Sequence, residues 1–342
     1  MESGKYNYEW NLKETEFKKN KGTVFSCFAC GGGSTMGYKL AGLDVLGCNE
    51  IDPKMMDLYI ENHKPKYSFL EGIQSFKMRD DLPEELYNLD ILDGSPPCSS
   101  FSTSGRRDKD WGKEKKFKEG QAKQVLDTLF FDFIDLAKKL QPKIVVAENV
   151  KGIILGKAKQ YTDKILKKFD EAGYNTKYYL LDGANMGLPQ SRQRVFFIGV
   201  RKDLIDKAPE LDFIFNYKKI PLKEIYSNYT DQPITKKTLY LWENRLPADK
   251  GLDNIHYRFF GKKNYFNFRL VKKDDVVKTI SSMSTHILMD EPRFLNKTEL
   301  LRASSFPNDY NFKNIKPVYV MGMSVPPIMT ANIADIIIKK YL

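Results

Sequence analysis

The sequence predicts an α/β protein, a dinucleotide-type domain joined to a smaller, irregular one. Three observations lead there. A β-rich run at Thr23–Ala29 passes through Cys30-Gly31-Gly32-Gly33 into a helix beginning near Tyr38, which is the strand, glycine turn and helix of a dinucleotide-type fold. Short apolar strands then alternate with amphipathic segments as far as Val200. From Arg201 to about Asp290 that rhythm stops, and 17 Lys/Arg stand against 12 Asp/Glu among many aromatics.

The bulk properties fit a globular chain. At 342 residues it has room for one large domain or two modest ones. Hydrophobic content of 42% and charge of 29% are ordinary. No apolar run reaches the roughly 18 residues of a membrane span, so no membrane partner is expected. The net charge of +11 points to a polyanion, nucleic acid first, although a lysine-rich proteome yields the same excess. Four cysteines without a secretory leader suggest a reducing, cytoplasmic setting. Cys27-x-x-Cys30 has no second such pair, and His63, His256 and His286 are scattered. No metal is therefore expected, and Cys27 and Cys30 are read as packing and turn residues.

Taken in order, residues 1–22 are a polar, lysine-rich arm. In the glycine turn, Gly32 and Gly33 let backbone N–H groups approach a ligand at a helix start. Cys30 is expected at negative φ, with Gly31 taking up the turn. A second strand, Asp44–Asn49, ends at Glu50-Ile51-Asp52. Glu50, about 20 positions past the turn, suits a ribose diol, and Ile51 suits an adenine face. An adenosine-containing cofactor follows, and both NAD and S-adenosylmethionine contain adenosine. Pro53–Asn62 reads as a helix, and Phe69–Ile73 closes a third strand.

A fourth strand, Leu89–Leu92, runs into Asp93-Gly94-Ser95-Pro96-Pro97-Cys98. The prolines forbid a helix start and present Cys98 on a rigid loop at a strand end, where open α/β sheets carry their chemistry. A lone cysteine is ordinarily buried and inert. Residues 103–121 form a polar stretch with 7 Lys/Arg, 4 Asp/Glu and three glycines, the composition of a surface loop. Ala122–Leu140 has helical apolar spacing and Pro142 ends it. The strand Ile144–Ala147 delivers Glu148-Asn149-Val150, and a carboxylate there is an acid/base candidate. A helix at Thr162–Ala172 and a strand at Asn175–Asp182 precede Gln190-x-Arg192-x-Arg194, whose alternation places both arginines on one side of an extended segment. Val195–Val200 is the next strand, Glu299–Ser304 is helical, and Gly322-Met323-Ser324-Val325-Pro326-Pro327 opens a last helix, Ile328–Ile338.

Pro96-Pro97-Cys98-x-x-Phe101-Ser102, Glu148-Asn149-Val150 and Gln190-x-Arg192-x-Arg194, in that order, resemble the motifs of the prokaryotic and phage DNA cytosine-5 methyltransferases, and the resemblance runs from about Val24 to about Ile337. It implies a Rossmann-like S-adenosylmethionine-dependent catalytic domain over residues 1–200, a target-recognition domain over 201–290, a hinge over 291–317 and a C-terminal helix, 318–342, returning to the first domain. It implies a monomer acting on double-stranded DNA, with Cys98, Glu148, Arg192 and Arg194 catalytic, and Phe28, Gly32, Gly33, Glu50, Ile51, Ile73, Pro96, Ser324 and Val325 around S-adenosylmethionine. It further implies that residues 103–121 close over a flipped base. The chain departs from the pattern at Ser26, where the family has Asp, at Cys30, where it has Gly, at Gly72, where it has Asp, with Glu71 a candidate substitute, and at Met323, where it has Asn. An RNA cytosine-5 methyltransferase would use the same motifs. A nicotinamide oxidoreductase would leave Cys98, Glu148 and the arginines unexplained, and an inactive DNA-binding module would not need to retain Cys98 and Glu148.

Overall fold

The computed structural model describes residues 4–97, 128–283 and 285–342. Its elements in chain order are β1 (Thr23–Cys27), α1 (Gly33–Leu40), β2 (Asp44–Glu50), α2 (Pro53–His63), β3 (Tyr67–Leu70), α3 (Ile73–Phe76), β4 (Ile91–Gly94), α4 (Leu129–Leu140), β5 (Ile144–Val150), α5 (Lys159–Glu171), β6 (Tyr174–Asp182), β7 (Gln190–Ser191) and β8 (Gln193–Arg201). They are followed by α6 (Leu222–Ile225), α7 (Lys236–Glu243), α8 (Leu252–Phe260), β9 (Phe268–Val271), β10 (Val277–Lys278), β11 (Thr285–Leu288), α9 (Lys297–Ser304), α10 (Pro317–Met323) and α11 (Pro327–Tyr341). Cys98 and residues 103–121, to which the sequence assigned the nucleophile and the closing loop, lie outside the described residues.

Two compact units emerge. The sheet unit holds Glu16–Leu181, Gln193–Ile214 and Thr330–Leu342; the second unit holds Met1–Thr15, Asp182–Arg192 and Phe215–Met329. The sheet runs β3-β2-β1-β4-β5-β8-β6. Its first five strands are parallel, and β8 lies antiparallel to β5. Beginning at the central pair and stepping outward in both directions is the doubly wound pattern, which puts ligands at the carboxyl ends of the strands. Phe25, Leu92, Phe130, Phe133, Val145, Phe169 and Phe197 share one continuous apolar core. Local chemistry sets the boundaries. Asp52 caps α2, accepting from the Lys54 amide at 2.9 Å, with Pro53 in the first turn. Gln141 ends α4 in the left-handed region just before Pro142.

In the second unit the stretch without βαβ rhythm folds into α6–α8 and the short parallel pair β9 and β11. Leu222, Ile225, Val271, Val277 and Leu288 form one core, and Leu241, Leu252, Ile255 and Ile287 another. Residues 291–317 contribute Leu295, Leu301 and Ala303 to this unit's buried interior. One stretch, Pro317–Tyr341, does carry the length and mean hydropathy, 1.3, of a membrane span, contrary to the sequence expectation. Its apolar side chains are core, since 78% of that window is buried inside the protein, and Pro326-Pro327 interrupts it.

Candidate active site

The glycine turn sits on the end of β1 and is held from β2. Glu50, 6% exposed at the last position of β2, accepts the Cys30 amide on Oε2 at 2.8 Å and the Ile51 and Asp52 amides on Oε1 at 2.9 and 3.0 Å. A carboxylate offers about four acceptor positions, so one remains for a ligand hydroxyl. Burial raises the Glu50 carboxyl above its ordinary range, against the amides that pull it down. The turn itself differs from expectation. Phe28, Cys30 and Gly32 all take positive φ, +53°, +46° and +73°, and Gly31 does not. Left-handed geometry at a residue with a β-carbon costs about 1–2 kcal/mol, and the Glu50–Cys30 hydrogen bond offsets part of it. Gly32 is required twice over, since a β-carbon there would meet His63 Nε2 at 2.1 Å. Burial pushes that imidazole down to about 3, so it packs neutral beneath the turn. Among the described residues, Cys27, Cys30 and Cys48 form no disulfide.

Other expected cofactor residues take varied places. Phe28 is half-buried against Phe133, with ring centroids 6.3 Å apart. Gly33 is the first residue of α1. Ile51 is half-exposed. Ile73 is 2% exposed with its side chain in the apolar core, so its backbone is what it offers a ligand. Glu71, the candidate substitute at Gly72, is engaged with Arg79 at 3.0 Å.

Sequence reasoning overlooked Asp93. It lies directly opposite Ser26 in the parallel register of β1 and β4 and is 4% exposed. Its Oδ2 accepts from Ser26 Oγ at 2.8 Å and from Ser34 Oγ at 2.7 Å, and its Oδ1 accepts from Tyr38 O–H at 3.1 Å. Among the described residues no Lys, Arg or His pairs with it. Burial pushes its carboxyl up to about 6; the three hydroxyls pull the other way and the charge of Glu148 adds to the rise.

Three residues after Asp93, the Pro96-Pro97 bend is held by β5. Asn149 Nδ2 donates to the Pro96 carbonyl at 3.0 Å, and Asn149 Oδ1 accepts from the Val150 amide. Glu148 follows Ala147, the partner of Gly94 in the β4–β5 register. Its Oε1 accepts from Arg194 Nε at 2.9 Å, with both side chains largely buried. Burial lowers the Arg194 guanidinium from its usual value, and the neighbouring carboxylate resists that fall. A carboxylate and a guanidinium, fixed beside the strand end that leads to a thiol, can place a proton donor and a fixed positive charge on a flat heterocycle.

Arg192 does not join them. It falls in the break between β7 and β8, is 2% exposed, and donates to the carbonyls of Ile280, Gly322 and Ser324 at 2.7, 3.0 and 2.9 Å. These contacts all lie in the second unit. The expected shared face fails because the extended segment is interrupted at Arg192 itself. The effect of those three bonds is to pin the backbone at Gly322 and Ser324. At Gly322 a β-carbon would meet the Ser281 carbonyl carbon at 2.2 Å. Ser324 and Val325 are both buried.

The aromatics of the second unit divide. Trp242, Tyr265 and Phe268 pack on its core. Tyr240, Tyr257, Phe259, Phe260 and Phe266 are exposed, as are Lys236, Lys237, Lys262 and Lys263 near them in sequence.

The comparisons with known proteins agree with this arrangement. The family model for C-5 cytosine-specific DNA methylases matches residues 22–339. The Type II methyltransferase M.NgoPII of Neisseria gonorrhoeae is 34% identical over 352 residues, 93% of this chain and 96% of its own. M.Sau96I of Staphylococcus aureus, also a Type II methyltransferase, is 28% identical, with 98% and 79% covered. Among solved structures, a Spodoptera frugiperda DNMT2 mutant shares the fold at a TM-score of 0.63 and 17% identity, covering 92% of this chain and 99% of that one. With the methylase match spanning nearly all of the sheet unit and the second unit, this chain belongs to the C-5 cytosine-specific DNA methylase family.

Proposed function

We propose that this chain transfers a methyl group from S-adenosylmethionine to C5 of a cytosine flipped out of duplex DNA, through a covalent bond between Cys98 and C6. The observation that carries this reading is the buried Glu148–Arg194 pair beside the Pro96-Pro97 bend. Cytosine C5 is a poor nucleophile. Addition of the Cys98 thiolate to C6 turns the ring into an enamine whose C5 can attack. Glu148 hydrogen-bonds or protonates N3 as charge builds, and Arg194 holds O2. S-adenosylmethionine supplies the electrophilic methyl. Loss of the C5 proton then expels the thiolate and restores the aromatic ring. Arg192, spent on backbone carbonyls, has a positioning role.

The turn residues suit an adenosine-containing donor: Glu50 keeps an acceptor position free, and Gly32 and Gly33 bring backbone close to the strand end. Flipping the base costs a few kcal/mol, which contacts from the basic second unit offset. The setting we propose is a bacterial or phage-infected cytoplasm, with the protein a monomer. The test is methyl incorporation into duplex DNA and into tRNA, together with trapping on duplex DNA carrying 5-fluorocytosine, where fluorine cannot leave as a proton does. We expect methylation of DNA and a covalent adduct that Cys98→Ala abolishes. An adduct that persists in Cys98→Ala, or methyl transfer confined to tRNA, defeats the reading.

A further inference from the structure

A buried carboxylate with no cation is an expensive feature unless something charged arrives to meet it. Asp93 has no cation beside it among the described residues, and three hydroxyls surround it. Ser26 on β1, Ser34 in the first turn of α1, and Tyr38 one turn later all aim a hydroxyl at it. The hub therefore gathers both ends of the glycine turn and the strand that leads to Cys98. Ser26 stands where the family's turn has its acidic residue, and Asp93 is its partner across the β1–β4 register. The negative charge missing from β1 is present one strand away, joined to Ser26 by a 2.8 Å hydrogen bond.

We propose that Asp93 is the acidic residue of the cofactor turn, displaced onto the neighbouring strand, and that its charge makes the site favour a cationic sulfonium donor over the neutral thioether left after methyl transfer. This rests on the S-adenosylmethionine reading above. It assigns Asp93 a positioning and electrostatic role, with no contact to the reacting atoms. The consequence is directional: the spent cofactor is held less tightly than the fresh one, and the turn clears after each methyl transfer.

The experiment is calorimetric titration of the full chain with S-adenosylmethionine and, separately, with S-adenosylhomocysteine. Three proteins are compared: native, Asp93→Asn, and the exchanged pair Ser26→Asp with Asp93→Ser. Native protein should favour the sulfonium form. Asp93→Asn, nearly isosteric, should weaken sulfonium binding roughly tenfold, while thioether binding stays within about threefold. The exchanged pair should restore the native preference, because register partners share a face of the sheet. Equal weakening of both ligands in Asp93→Asn, or no change in either, overturns the proposal and leaves the cofactor reading standing. If Asp93→Asn does not fold, the exchanged pair decides: a kept preference supports the proposal and a lost one defeats it. Native protein that binds neither ligand overturns the cofactor reading and this inference with it.

Discussion

On the mechanism proposed above, Glu148 and Arg194 are structural and reactive at once. Removing Arg194 leaves a carboxylate largely buried without its partner, and breaking such pairs costs about 3–5 kcal/mol when burial is complete, less at this partial exposure. Glu148→Gln keeps the shape and the hydrogen bond and removes only the acid. It should lower kcat by roughly 10²–10⁴-fold, the range for a positioned general acid, with cofactor affinity unchanged by calorimetry. Asp93 gives a second, pH-dependent outcome. Its carboxyl is near 6 in the folded chain against about 3.9 unfolded. Between those values the native state holds more protons than the unfolded state. The stability it contributes is therefore full below about pH 4 and is lost as pH rises through 6. Glu50 is raised in the same sense. His63 and His286, held down to about 3 and about 4 by burial, act oppositely, losing stability as pH falls below about 6.5. The native-minus-Asp93→Asn difference in urea unfolding free energy isolates Asp93. It should fall by on the order of 2 kcal/mol from pH 4 to 6.5, and a flat difference would mean that the carboxyl is not perturbed.

At the scale of elements, α9 offers the clearest stability test. Asn296 and Glu299 form a reciprocal capping box. Glu299, fully buried, also accepts two bonds from Arg293 and one from the Ser227 amide. Glu299→Ala removes the capping box and one of the two carboxylates on Arg293, which keeps Glu291 at 2.8 Å, and should destabilise by about 3 kcal/mol, read as a lowered Tm, while Glu299→Gln should lose less. Such elements show what a sequence reader can and cannot see. The strand β1 was legible because a β-rich run ends in a glycine turn, β2, β4 and β5 because each is a short run closed by a polar residue, and Glu50 and Glu148 because they close two of those runs. The start of α1 was not: Gly33 opens the helix where glycine signals a turn, and burial of Met36 and Tyr38 overrides propensity. The fate of Arg192 was invisible, because its partners Ile280, Gly322 and Ser324 lie far off in sequence. α7 and α8 were hidden by aromatics placed on both faces, some core and some exposed.

For the whole molecule, the charge of +11 sets the salt response. DNA affinity should fall with log salt at about −0.9 per phosphate neutralised, and a flat response in a filter-binding series removes DNA contact as the reason for the basic excess. Tyr257→Ala with Phe260→Ala, both exposed on α8, should weaken DNA binding without moving cofactor affinity; unchanged binding would place the DNA elsewhere. The division of the chain has a temporal consequence. The path leaves and re-enters the sheet unit twice, and Thr330–Leu342 belong to that unit although all of Phe215–Met329 is made before them. On the ribosome the nascent sheet waits for its last helix until the second unit has been synthesised. Assembly order is thus written into connectivity: until Thr330–Leu342 are made, the sheet unit lacks the buried side chains of Ala331, Ile333, Ala334 and Ile337.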